Sequence, residues 1–216
     1  MLRISAILLG AGESKRMGVD KLSLPWGRET VLNHCLETLL KSEVKEVIVV
    51  LNPRDKRLKV LTRRRKVKAV INPLFREGMS TSIRRGLQTI HPNRQGILIA
   101  LGDQPYLKTR TINALIHAFK KGREGIIIPS FRGRMGHPVI FHQKYKKELL
   151  SLKGDMGGRS IIERHLENVR RVPVKSAGVV KDIDTWQDYT TSTLSFPHKW
   201  GEKGKGNERR WRKEFK

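Results

Sequence analysis

Short runs of continuous apolar residues alternate with stretches whose apolar positions recur every three to four residues. The first kind covers 4–9, 46–51, 67–71, 96–101 and 125–128. Several are apolar at consecutive positions, the pattern of strands covered on both faces. The second kind, 30–40, 80–89 and 109–120, reads as amphipathic helices. The resulting β-α-β-α order predicts a mostly parallel sheet with helices on both sides. In such sheets ligands bind beyond the carboxyl ends of the strands. The segments after Leu9, Ile71 and Leu101 are therefore where chemistry is expected.

After Pro129 the pattern changes. FRGRMGHPVIF (131–141) reads as a turn and a short strand, with a helix predicted over 143–150. A glycine-rich KGDMGGRS precedes a helix running to about Asn168, then a strand over 169–174 and the segment DIDTWQDY. Order signals fade from about Thr190. Residues 1–190 are thus predicted to form one domain, and 191–216 a basic tail, mobile or weakly helical.

A chain of 216 residues can bury the core of one α/β domain. It has no apolar run near the ~18 residues of a membrane span, so no membrane partner is expected. The opening MLRISAILLGAG resembles a short secretory core, yet it runs into charged ESKR without a small-residue cleavage site; a buried first strand is the reading. A single cysteine, Cys35, excludes an internal disulfide framework and points to a reducing, cytoplasmic setting. It falls on the apolar side of a predicted helix and is read as core rather than as a nucleophile. Net charge is +25. A field of that sign favours polyanions: nucleic acid, anionic lipid or phosphorylated small molecules. The charge clusters in 54–68 and 199–216, and a solvated surface biased toward Lys and Arg is the plainer explanation.

Candidate chemistry sits in five places. In LLGAGESKRMGVDKLSLPWG (8–27) a strand opens into Gly10-Ala11-Gly12, where the backbone can approach a ligand and successive N–H groups can face phosphate oxygens. Arg16 and Lys21 add a guanidinium fork and a mobile ammonium. The stretch is not a P-loop, because Val19 follows Met17-Gly18 where a lysine belongs. Nor is it a dinucleotide fingerprint, because Lys15 stands at the third glycine position. ALGDQP (100–105) puts Asp103 at a strand end, suited to holding Mg²⁺ against a polyphosphate or to capping the next helix. In NPLFREGMSTSIRRGL (72–87), Ser80, Thr81 and Ser82 begin a helix, where they either cap it or contact a base or ribose. GHPVIF (136–141) and GDMGGR (154–159) suit a polar, phosphorylated second substrate, and His137 equally fits a satisfied buried histidine. Asp182 and Asp184 alternate, so both face one way in extended chain; they complete a metal site near Asp103 or cap the following helix.

Taken in order, GAGESKRMG-x-x-KL, NP-x-x-x-x-GM-x-x-S, GDQP, GHPV-x-F, GD-x-G-x-R and DIDT span Leu8 to Tyr189. Together they resemble the molybdenum cofactor nucleotidyltransferase family, within the wider NTP-transferase folds that include sugar-nucleotide pyrophosphorylases. The resemblance is greatest to the cytidylyltransferase branch, which joins CMP from CTP to the terminal phosphate of a molybdopterin-type cofactor. It implies a Rossmann-like, three-layer α/β/α sandwich around a mixed, mostly parallel sheet. It further implies that Leu9, Gly10, Ala11, Gly12 and Ser82 line the nucleotide. Arg16 and Lys21 would grip the triphosphate and act with Asp103 in catalysis, with Asp103 and Asp184 holding Mg²⁺. His137, Asp155 and Arg159 would face the pterin. The implied partners are CTP or another NTP, the molybdopterin-type acceptor, and an acceptor molybdoenzyme or its chaperone; no specific nucleic-acid partner is implied. Cytidylyltransferases usually carry Ala-Ala-Gly in the first loop and guanylyltransferases Ala-Gly-Gly. The Gly-Ala-Gly here shares its middle alanine with the former and departs from both at Gly10. Trp186 stands where the family usually has proline.

An acceptor phosphate is already an anionic nucleophile at neutral pH, so transfer needs no general base. Catalysis then reduces to alignment and charge neutralisation at the α-phosphate and the departing pyrophosphate. Guanylyl and sugar-1-phosphate transfer use the same chemistry. A nucleic-acid-binding protein would suit the charge without requiring GDQP or DIDT.

Overall fold

A computed structural model describes residues 2–61, 64, 66–122 and 125–193. The basic tail from 194 onward and part of the 54–68 cluster lie outside the described residues. The strands are β1 (Ile4–Gly10), β2 (Pro25–Trp26), β3 (Glu29–Thr30), β4 (Glu46–Leu51), β5 (Val67–Ile71), β6 (Gly96–Leu101), β7 (Ile126–Phe131), β8 (Arg134–Met135), β9 (Val139–His142) and β10 (Val169–Pro173). The helices are α1 (Val31–Leu40), α2 (Leu58–Leu61), α3 (Met79–Thr89), α4 (Thr109–Lys121), α5 (Lys146–Leu150), α6 (Arg159–Arg164) and α7 (Trp186–Thr193).

One sheet runs β10-β7-β9-β6-β1-β4-β5, with β8 added on β7. The β1–β4, β1–β6, β4–β5 and β7–β10 pairs are parallel, and β9 lies antiparallel between β6 and β7. Side chains alternate across the sheet. Ala6, Leu8, Val47 and Val49 pack with α1, α4 and α7 on one face; Ile7, Ile48 and Val50 pack with α3, α5 and α6 on the other. That double cover is why β4 is apolar at consecutive positions, each large aliphatic contributing roughly 1.5–3 kcal/mol by burial. The fold is therefore the three-layer α/β/α arrangement, Rossmann-like, with a mixed, mostly parallel sheet.

The helix expected over 143–150 begins as a 3-10 turn, Gln143–Tyr145, before α5, and the one expected to reach about Asn168 stops at Arg164, with a 3-10 turn, Leu166–Asn168, after it. Two further boundaries differ. β7 continues past Ile128 to Phe131, because Ser130 and Phe131 pair with β8 and the Pro129 carbonyl accepts from the Gly136 N–H at 3.0 Å. α7 runs to Thr193, beyond the point at which polarity suggested fading order. The β2–β3 hairpin and α2 are too short for a periodic signal.

β1 is flanked by β4 on one side and β6 on the other, so the chain reverses direction across the sheet at this point. A ligand crevice is expected beyond the carboxyl ends of these strands. The opposite end is tied by Glu46. Its carboxylate accepts from Ser5 Oγ at 2.6 Å, Arg94 Nε at 3.2 Å and the His91 N–H at 3.1 Å, with Lys68 Nζ at 3.0 Å. Burial alone would raise this carboxyl, but the bonds from Ser5, Lys68 and His91 outweigh it and lower its pKa from 4.5 to about 2. A lowered folded-state value stabilises fully above the unfolded value, and the stabilisation is lost as pH falls through the folded one. Wild-type stability should therefore fall between pH 4.5 and about 2 by up to roughly 3 kcal/mol from this group. Glu46→Gln should be less stable at neutral pH and flatter across that window, as read by chemical denaturation.

Candidate active site

Lys21 stands on a single 3-10 turn, Lys21–Ser23, whose start is fixed by Asp20: the Leu22 N–H donates to Asp20 Oδ1 at 3.1 Å. Asp20 is held in turn by Arg57 at 3.2 Å, and Arg57 is gripped by Asp55 through two Nε contacts at 2.9 and 3.1 Å. The Lys21 backbone N–H donates to Ser14 Oγ at 3.2 Å, and Leu22 and Leu24 anchor the turn in the core. From this platform Lys21 Nζ reaches Asp103 Oδ2 at 2.7 Å and Asp184 Oδ1 at 2.9 Å. Arg16 joins Asp184 from the other side at 2.8 Å. Burial lowers the Lys21 ammonium pKa, but the charges and hydrogen bonds of Asp103 and Asp184 prevail and hold it above the ordinary lysine value.

The two carboxylates arrive on distant segments. Asp103 follows β6, where the Gly102 N–H donates to the Leu9 carbonyl at 2.9 Å. The Ile183 N–H donates to the Asp103 carbonyl at 3.0 Å, which lays DIDT alongside GDQP. α7 then locks that segment to the first loop, through Trp186 Nε1 to the Met17 carbonyl at 3.1 Å and Tyr189 OH to the Pro25 carbonyl at 2.7 Å. Gly136 braces the approach to DIDT: an added Cβ would lie 2.0 Å from the Val179 carbonyl oxygen, and the His137 N–H donates to that oxygen at 2.8 Å.

A cleft of about 720 Å³ opens over these groups and brings Leu9, Ala11, Gly12, Arg16, Lys21, Ser82, Asp103, Asp155 and Asp184 together. Gly10, His137 and Arg159 are not among its lining residues. Gly10 is turned into the fold, where an added Cβ would meet Leu32 and the Val50 carbonyl at 3.2 Å. His137 is half-buried, and that burial lowers its pKa against the opposing pull of Asp103. Arg159 is exposed and pairs with Glu163 on its own helix at 2.8 Å. Asp155 has a local task as well: its Oδ1 accepts from the Met79 N–H at 3.2 Å, at the start of α3. Gly78, with φ of +105°, is pressed so closely on Gly154 that a Cβ would come within 2.4 Å of its carbonyl. Cys35 is buried core, donating to the Gly102 carbonyl, and burial raises its thiol pKa.

Sequence reasoning missed Glu13, Lys15, Arg76 and Glu77, which complete the charged lining. Glu13 bonds Arg76 at 3.2 Å and Lys15 at 3.0 Å. The described lining carries four cations (Lys15, Arg16, Lys21, Arg76) against six carboxyl groups (Glu13, Glu77, Asp103, Asp155, Asp182, Asp184). Asp182 registers this excess: burial first, then the charges of Asp184 and Asp103, raise its pKa above the ordinary aspartate value. Asp20 did carry a signal, being a capping residue immediately before Lys21.

The donors fit a divalent cation. Asp103 Oδ1 is buried and has no hydrogen-bond partner, and Asp184 lies across Lys21 from it. Among the described residues no three His, Cys, Asp or Glu side chains form a closed metal cage. One or two carboxylates completed by phosphate oxygens and water is how Mg²⁺ is usually held.

Residues 6–169 match the family model described as the MobA-like NTP transferase domain. The chain belongs to that family. The transferase is 28% identical to the purine catabolism protein PucB of Bacillus subtilis, over 85% of this chain and 92% of that protein. It is 27% identical to nicotine blue oxidoreductase of Paenarthrobacter nicotinovorans, over 84% of this chain and 92% of that one. It is 24% identical to the molybdenum cofactor cytidylyltransferase of Escherichia coli, over 89% and 96%. Among solved structures, Rv0371c from Mycobacterium tuberculosis superposes with a TM-score of 0.78 at 28% identity, covering 90% of this chain and 98% of that one. A manganese complex of Rv0371c gives a TM-score of 0.73 at 26% identity, covering 90% and 100%.

Asp155→Ala in the transferase should cost about 1 kcal/mol of stability by freeing the first N–H of α3. Asp155→Asn, which keeps an acceptor there, should stay within a few tenths of wild type. Urea denaturation of the two variants checks this.

Proposed function

We propose that the protein transfers CMP from CTP to the terminal phosphate of a molybdopterin-type cofactor, releasing pyrophosphate, with Mg²⁺ as its metal and the cytoplasm as its setting. The observation that carries the transfer chemistry is the Lys21 ammonium between Asp103 and Asp184 at 2.7 and 2.9 Å, in a cleft that Ala11 and Gly12 of the first loop also line. This is machinery for neutralising phosphate charge. His137, the histidine nearest Asp103 in the motifs, is outside the cleft lining, in keeping with an acceptor that needs no general base.

In this reading Ala11 and Gly12 receive the triphosphate. Lys21 and Arg16 exchange their carboxylate partners for phosphate oxygens as it enters. Asp103 and Asp184 would hold the metal, which when bound supplies charge neutralisation at the phosphates. Fixed cations aimed at developing charge are worth roughly 3–4 kcal/mol each in comparable roles. The lean to CTP rests on Ala11, a buried residue at the cleft wall where a methyl in place of glycine leaves less room for a purine, and on the relationship to the Escherichia coli cytidylyltransferase. Asp155, His137 and Arg159 are assigned to the pterin by the motifs that carry them. Of these only Asp155 lines the cleft, which makes it the first to test.

Pyrophosphate release measured with each NTP, molybdopterin cofactor and Mg²⁺ tests the whole reading. CTP should be preferred over GTP by about 10- to 200-fold, and Ala11→Gly should narrow that ratio. Equal turnover of both nucleotides would remove the base assignment. Asp103→Asn should cut turnover by at least about 100-fold while leaving thermal unfolding near wild type. Retention of more than about a tenth of the rate would exclude Asp103 as a metal ligand. Deleting 194–216, which leaves α7 whole, should keep transfer within about threefold of the intact chain, because every catalytic motif ends before it.

A further inference from the structure

We propose that Asn72 is a positioning residue that makes the Ser82 hydroxyl a dedicated hydrogen-bond donor toward the bound nucleotide. This rests on reading the cleft as the nucleotide's site. Asn72 directly follows β5 and is 2% exposed. The Leu74 N–H donates to its Oδ1 at 3.1 Å, and that bond fixes which way the amide faces. Its Nδ2 is thereby turned toward α3, where it donates to Thr81 Oγ1 at 2.8 Å and Ser82 Oγ at 3.0 Å. Both amide hydrogens are then used.

The two hydroxyls differ in what remains to them. Thr81 has backbone acceptors for its own hydrogen, the Gly78 carbonyl at 2.8 Å and the Leu74 carbonyl at 3.0 Å. Ser82 meets no acceptor among the described residues, and it lines the cleft where Thr81 does not. With a lone pair of Ser82 Oγ occupied by Asn72, its hydrogen is the group left to offer. A buried donor left unmatched is costly, so a ligand presenting an acceptor at this point is favoured over one presenting an N–H. The complementary group is a carbonyl oxygen, ring nitrogen or hydroxyl oxygen of the nucleoside. Asn72 itself touches no ligand and acts through Ser82.

The test is a double-mutant cycle on the full chain, with CTP and Mg²⁺ binding read by calorimetry and KM and kcat read in the pyrophosphate assay. Ser82→Ala should weaken CTP binding roughly 3- to 10-fold. Asn72→Asp still accepts from Leu74 but also accepts from both hydroxyls, so it draws the Ser82 proton inward; binding should fall roughly tenfold or more. KM should rise in both while kcat stays within about twofold. The discriminating result is coupling: in the Ser82→Ala background, Asn72→Asp should add less than about twofold. Equal losses from Asn72→Asp with and without the hydroxyl would overturn the proposal, as would wild-type affinity in Ser82→Ala. If Asn72→Asp fails to fold by thermal melting, Asn72→Ala takes its place; its smaller loss must likewise vanish without Ser82, and persistence overturns the proposal. A wild type that binds no nucleotide contradicts the transferase reading, and this inference with it. Tight wild-type binding that ignores both residues contradicts this inference alone.

Discussion

The Lys21 ammonium holds Asp103 and Asp184 together, and the ordering of the cleft depends on it. Neither carboxylate is near the other in the chain; one follows β6 and the other precedes α7. Both are partly withdrawn from water, so without a cation between them their repulsion would be expensive. Lys21 reaches them because its backbone is capped by Asp20, which Arg57 and Asp55 hold in turn. The chain thus spends three acidic and basic side chains outside the cleft to aim one ammonium inside it.

The balance of charge explains why this arrangement is poised for a polyanion rather than filled. The chain carries +25 overall, yet the described cleft lining holds more carboxyl groups than cations. The surrounding field draws phosphorylated substrates in, while the local acids keep the cations paired until a substrate arrives. A divalent cation accompanying the phosphates would convert the excess acid from a repulsive lining into a ligand set. The orphaned Asp103 Oδ1 is one place where that deficit is visible.

How much of this was legible beforehand follows from the length scale of each signal. β4 and β6 end where their continuous apolar runs end, because burial on both faces leaves little room for polar residues, whereas the edge strand β5 carries the exposed Lys68 within it. β7 outran its prediction because a hairpin partner, not apolarity, extends it past Pro129. Motif spacing found Lys21, Asp103 and Asp184 one at a time, but nothing along the chain announces that Lys21 sits between the two. Gly10 was read as a ligand contact, and its smallness also serves close packing against Leu32 and Val50, a need that no motif spacing encodes. Asp155 was read toward a substrate, and its bond to the start of α3 emerges only when two loops meet at Gly78 and Gly154. The Asn72 network is of the same kind: the amide's orientation depends on a backbone bond from Leu74, which no side-chain pattern encodes.

The central claim is that this cation-bridged pair of carboxylates transfers a nucleotidyl group to a phosphate. The most direct measurement follows the α-phosphorus, using CTP labelled at that position together with molybdopterin cofactor and Mg²⁺. The account predicts that the label moves into the cofactor product, with one pyrophosphate released per labelled acceptor. Label recovered only as free CMP, or unchanged CTP beside an intact acceptor, would contradict it.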